Sequence, residues 1–164
     1  MTGPIRCVIA IVMLLAACTT PSGESSASPA GGYATTAAGF ALASWTTTIT
    51  ADDLHAGGVT DPEMVDQNSG RMVLTYRADG TWTLVQTSLT GISLWEPIFR
   101  GTYTVDRDRV THVVTFPERY AAEGGHDTCT WRIEADTLIL NLVDSGDEFI
   151  EVVYEAHPWQ LFTQ

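Results

Sequence analysis

The chain contains no lysine, so its permanent cations are 8 arginines set against 20 aspartates and glutamates. So acidic a chain repels phosphate backbones, and no arginine cluster offsets this, so nucleic-acid binding is not expected. Long apolar runs are missing too. The longest, 8–17, has ten residues, about half of what a helix needs to cross a bilayer. Among the motifs that carry chemistry, the sequence lacks the metalloprotease HExxH pair, the Gly-x-Ser-x-Gly elbow and the phosphate-binding loop. Enzymatic activity and a cofactor are therefore not expected. Cysteine is scarce as well, at three residues: Cys7, Cys18 and Cys129.

What the N-terminus does contain is ordered like an export signal. Arg6 precedes the apolar run VIAIVMLLAA, which ends in Leu15-Ala16-Ala17-Cys18. The arrangement suits a signal-peptide apolar core, and the last four residues resemble the bacterial lipobox at all four positions. The resemblance implies that residues 1–17 are removed and that the thiol of Cys18 accepts a diacylglyceryl group. The mature protein would then sit on the outer, extracytoplasmic face of the cell membrane. One acyl chain anchors only weakly, whereas the two of a diacylglyceryl group hold stably. The remaining chain, 18–164, carries 7 arginines against 20 acidic residues, a formal charge of −13. Such a charge disfavours contact with anionic headgroups, which leaves the anchoring to the lipid. Cys129 is then the only thiol left, so no disulfide can form within one chain. A domain of this size can be stable through its core alone.

Composition divides the mature chain in two. Residues 18–39 are small and polar, with too little apolar surface to fold, and read as a flexible tether. Residues 40–164 form the domain. Period-two alternation predicts a strand over 44–49 with Trp45, Thr47 and Ile49 on one face. Thr50-Ala51-Asp52-Asp53 and Thr60-Asp61-Pro62-Glu63 each place an acid three residues after a threonine, as capping boxes that open two short helices. Three hairpins follow, over 71–87, 98–116 and 127–143, turning at Ala78-Asp79-Gly80, Asp106-Arg107-Asp108 and Ala135-Asp136. Their inward faces are expected to carry Met72, Leu74 and Tyr76; Trp82, Leu84 and Gln86; Phe99, Tyr103 and Val105; Val110, His112, Val114 and Phe116; Cys129, Trp131 and Ile133; and Leu138, Leu140 and Leu142. Segments 88–97 and 117–126 read as loops. Phe149, Val152, Val153 and Ala156 recur at helical spacing and predict a helix over 148–156, before a last strand at 159–163.

About eight short strands with one apolar face each point to an all-β fold. Closing them into an antiparallel barrel buries that face and removes the edges; a sandwich is the alternative. The stretches GTWTLVQT, GTYTVDRDRVTHVV and TWRIEADTLILNLVD resemble the hairpins of lipocalin-like (calycin) domains, such as occur on lipoproteins of high-GC Gram-positive bacteria. The likeness spans 44–162, and Trp45 in Ala43-Ser44-Trp45 stands where the lipocalin Gly-x-Trp has its tryptophan. The resemblance implies a barrel with short helices after the first strand and before the last.

Candidate site residues are the polar groups on apolar faces: Tyr76, Gln86, Tyr103 and His112. Ligand pockets are mostly apolar with a few placed polar groups, and these four are expected to share one interior volume around a small apolar ligand. His112 and Cys129 share inward faces, but a nucleophile–base pair needs an orienting carboxylate, and none is expected there. His126 and Cys129 lie three apart, too few ligands for a metal. A second expectation is a solid barrel acting as a protein-interaction module, and interior volume separates the two. For the anchor, Cys18→Ala is expected to abolish labelling with radioactive palmitate and to release the protein or stall its precursor. A mutant that still labels and stays membrane-bound would remove the lipoprotein assignment.

Overall fold

The computed structural model describes residues 34–88, 93–145 and 148–163; the lipobox, Cys18 and most of the tether lie outside them. Strand formation follows the burial alternation. Along Gly70–Tyr76, for example, residues 72, 74 and 76 are buried and the positions between them are not. In chain order the elements are β1 (Ala34–Thr35), β2 (Ala41–Leu42), β3 (Ser44–Ile49), α1 (Ala51–Ala56), α2 (Pro62–Asn68), β4 (Gly70–Tyr76), β5 (Thr81–Ser88), β6 (Ser93–Asp106), β7 (Arg109–Phe116), α3 (Glu118–Ala122), β8 (His126–Glu134), β9 (Thr137–Ser145), α4 (Glu148–Glu155) and β10 (Trp159–Leu161).

Strands β3 to β10 form a closed antiparallel barrel in sequence order, with β10 joining β9 to β3. Antiparallel neighbours in sequence order put alternate connections at opposite ends. Three tight turns, β4–β5, β6–β7 and β8–β9, occupy one end. Helices α1 and α2, α3 and α4 all fall at the other. Gly80 takes positive φ in the first turn, as Asp-Gly turns require. Arg107 and Ala135 do so in the other two, both at φ 54°, which costs a residue with a Cβ about 1 kcal/mol.

The interior is filled. Trp45, Trp82, Trp159, Met72, Leu74, Leu84 and Leu138 are all essentially inaccessible. Phe40 stoppers the turn end, its ring edge-on to Tyr76 at 4.6 Å and to Trp131 at 5.0 Å. Trp82 lies against Gly101 of β6. A Cβ at that glycine would sit 1.8 Å from the Val113 carbonyl oxygen and 3.0 Å from Trp82 Nε1. Only glycine lets the β6–β7 backbones approach so closely beside the indole.

Several expectations are corrected. Residues 34–39, read as tether, hold β1, which pairs with β2. The second helix is capped by Asp61, not Thr60: Asp61 Oδ1 accepts from the backbone N–H groups of Glu63 and Met64. Pro62 in the first turn, with no N–H to satisfy, fixes the cap on the residue before it. The supposed loop 88–97 contributes strand at both ends, with residues 89–92 outside the described set, and bulges in the β5–β6 pairing hide the alternation. The loop 117–126 contains α3, whose cap Pro117 makes no side-chain bond and so leaves no capping signal. Capping at Thr50 and the helix α4 are as expected.

Burial separates the two central tryptophans that face inward. Trp82 is 2% exposed while Trp131 is only half-buried. Urea unfolding should show a loss of about 3–5 kcal/mol for Trp82→Ala and less than half of that for Trp131→Ala. Equal losses would contradict the placement of β8.

Candidate functional site

An apolar barrel interior tolerates polar groups only where they satisfy one another. Here one such set is assembled from four elements. His112 on β7 is fully buried and pairs in register with Asp127 on β8, which is 3% exposed. Asp127 is two residues from Cys129, so the pleat sends both inward, and the expectation that no acidic residue shares those faces is overturned. The signal was present: Asp127 opens the predicted strand with the same parity as Cys129, but the apolar run from which the inward face is counted begins only at Cys129.

The contacts form a chain. Tyr76 Oη lies 2.8 Å from His112 Nε2. His112 Nδ1 is 3.4 Å from Asp127 Oδ2 and 3.3 Å from Tyr154 Oη. Tyr154, delivered by α4, donates its hydroxyl to Asp127 Oδ2 at 2.8 Å. The His112 ring is stacked between Tyr76 and Tyr154, each centroid 5.6 Å away. Counting donors assigns the tautomer. Tyr154 uses its proton on the carboxylate and, among the described residues, Tyr76 has no other acceptor, so Tyr76 donates to Nε2 and the imidazole proton sits on Nδ1, where Tyr154 Oη accepts it beside Asp127. The chain of donors runs from Tyr76 through His112 and Tyr154 and ends on one carboxylate.

Electrostatics agree with that direction. Burial first, and then the neighbouring negative charge, push the Tyr154 phenol well above its ordinary 10.0; Tyr76 is raised chiefly by burial. Both stay neutral donors. Burial, followed by Asp127 and Glu155, also pushes the Cys129 thiol far above its ordinary value of 9.0. A thiol held protonated is a poor nucleophile, and no hydrogen bond joins it to His112 among the described residues. The arrangement can accept and orient a hydrogen-bond donor, but it does not activate an attacking group.

The four expected site residues do not share one volume. Tyr76 and His112 are joined, and the Tyr103 ring lies 5.1 Å from that of Tyr76. The Tyr103 hydroxyl, however, donates to the Arg77 carbonyl at 2.8 Å, at the turn end. Gln86 lies at the helical end, where its amide donates to the Gln67 carbonyl and lies 3.5 Å from that of Ser69. Its amide fastens the α2–β4 connection. A polar residue on an apolar face has its parity fixed by sequence, but its partner along the barrel axis is set by register and bulges.

Sequence reasoning also missed an open cleft at the helical end, with a volume of about 260 Å³. Trp82, Phe99, Val114 and Ile150 line it, Tyr120 of α3 walls it, and Asp127 supplies a carboxylate. Tyr154 and Ile150 are one helical turn apart on α4, so the helix that completes the buried chain also borders the cleft. Their i, i+4 spacing was the available signal. Among the described residues, no group of three or more His, Cys, Asp and Glu side chains could hold a metal. Cys18, the expected lipid site, lies outside the described residues.

No family model, curated protein or solved structure matches the chain.

The raised Cys129 thiol makes stability depend on pH. The folded state keeps its proton while the unfolded chain releases it, so the contribution is full below pH 9 and is lost as pH rises above it. Between pH 9 and 10 the protein should lose about 1 kcal/mol more than Cys129→Ala does, the tyrosines entering only above pH 10. Parallel pH profiles of urea midpoints would show the thiol to be accessible and unperturbed.

Proposed function

We propose that the chain is a non-catalytic extracytoplasmic lipoprotein, anchored by a diacylglyceryl group on Cys18, whose barrel binds a small and largely apolar ligand. The observation that carries the binding reading is the cleft over Trp82, Phe99, Val114 and Ile150, with one carboxylate at Asp127. An apolar wall with few polar groups is the composition of a small-molecule site. Its volume of about 260 Å³ holds roughly ten non-hydrogen atoms, scaling from a benzene-sized void of about 150 Å³. The ligand therefore sits at the helical end, and the barrel interior serves as a rigid support. His112 and Tyr76 act behind the site, by fixing Asp127, and the lipid anchor keeps the cleft near the membrane surface.

The solid interior also favours a second reading, an interaction module that meets a protein partner in the cell envelope through the same end. Native purification followed by mass spectrometry of released small molecules separates the two. Under the binding reading, one compound of about this size accompanies the wild type and is depleted in Val114→Phe, which fills the cleft. Release of nothing from the wild type, or of equal amounts from both, would favour the interaction module.

A further inference from the structure

The chemistry of the cleft goes further than its size. Both contacts that Asp127 makes to His112 and Tyr154 use the same atom, Oδ2. Oδ1 has no hydrogen-bond partner among the described residues, although the side chain is only 4% exposed and borders the cleft. A carboxylate oxygen in so small an opening calls for a donor, and a cationic donor bonds it more strongly than a neutral one. The other acidic group in the lining points the same way. Glu123 adds a second acid, 3.6 Å from Arg119 on the exposed side of α3. Among the described residues the only basic lining group is His126, and it is already engaged: its Nδ1 lies 3.1 Å from the Gly124 carbonyl oxygen and its Nε2 3.5 Å from Asp144. The walls are aromatic, with Trp82 on one side and Phe99 edge-to-face with Tyr120 at 5.3 Å on another. Aromatic faces attract cations as well as apolar bodies.

We infer that the cleft selects small organic ammonium ions, the N–H group docking on Asp127 Oδ1 and the apolar body lying against Trp82, Phe99 and Tyr120. This rests on the binding role proposed for the cleft and names the class of ligand. Fatty acids and other small carboxylates are rejected, because their charge would face Asp127 and Glu123 in a confined space. The acidic surface of the whole chain, with no lysine to interrupt it, raises the local concentration of cations and lowers that of anions.

Three probes of one shape test it: 2-phenylethylammonium, 2-phenylethanol and phenylacetate, titrated calorimetrically at pH 7 into the natively folded protein. The ammonium should bind at least tenfold more tightly than the alcohol, and phenylacetate should not bind measurably. Asp127→Asn, with folding checked by near-ultraviolet circular dichroism, should remove the preference for the ammonium over the alcohol. If the variant does not fold, the wild-type ranking alone decides. Alcohol and carboxylate binding as tightly as the ammonium would overturn the ammonium assignment while leaving the apolar cleft as a binding site. Failure of all three to bind would overturn both.

Discussion

The carboxylate of Asp127 is the acceptor on which the polar interior of this barrel converges. Burying such a group is costly unless hydrogen bonds replace the water it gives up. Tyr154 donates one to Oδ2, with His112 Nδ1 held 3.4 Å from the same oxygen, and Tyr76 satisfies the far side of the imidazole. Four elements are tied together in this way: β4 through Tyr76, β7 through His112, β8 through Asp127 and α4 through Tyr154. None of the four side chains can be moved without leaving another unpaired. The position of α4 across the barrel end follows from this. Glu155 adds a second tie, accepting from the Leu142 backbone N–H of β9. Behind it, His157 lies 3.0 Å from Asp53, the residue that closes the capping box of α1.

That fixed helix explains how a solid barrel comes to have a cleft. Tryptophans 45, 82 and 159 leave no room in the interior for a ligand of several hundred Å³. A cleft opens where α3 and α4 meet the barrel rim, with Trp82 and Asp127 in its lining. The polar chain therefore does two jobs with one set of atoms. It holds the rim helix in place, and it leaves Asp127, which lines the opening, with one oxygen that has no hydrogen-bond partner among the described residues. Rigid support of this kind lets a small site bind without first paying the entropy of ordering its own walls.

The strands were legible in the sequence because each buries one face, and a period of two survives any register. Trp45 through Ile49, Met72 through Tyr76 and Leu138 through Leu142 all show it. The helix at α4 was legible from Phe149, Val152 and Val153, whose spacing puts acids and apolar residues on different sides. The site was less so. Parity alone put His112 inside, but its pairing with Asp127 depends on the β7–β8 register, and its contact with Tyr154 on how α4 returns over the rim. Gln86 and Tyr103 have the right parity and the wrong neighbours, since carbonyls at opposite ends of the barrel reach them first. The strand part of 88–97 was hidden by bulges between Leu84 and Thr87, which break the alternation on which strand reading depends.

The dependence of the fold on Asp127 is tested most directly by the imidazole of His112. A long-range nitrogen–proton correlation spectrum of the uniformly nitrogen-15-labelled protein reports which ring nitrogen carries the proton. Protons converging on Asp127 require it on Nδ1, with Nε2 the bare acceptor of the Tyr76 hydroxyl. Substituting Asn for Asp127 should disturb the His112 signals and leave those of exposed His55 in place. A His112 protonated on Nε2, or one unaffected by Asp127→Asn, would contradict the account.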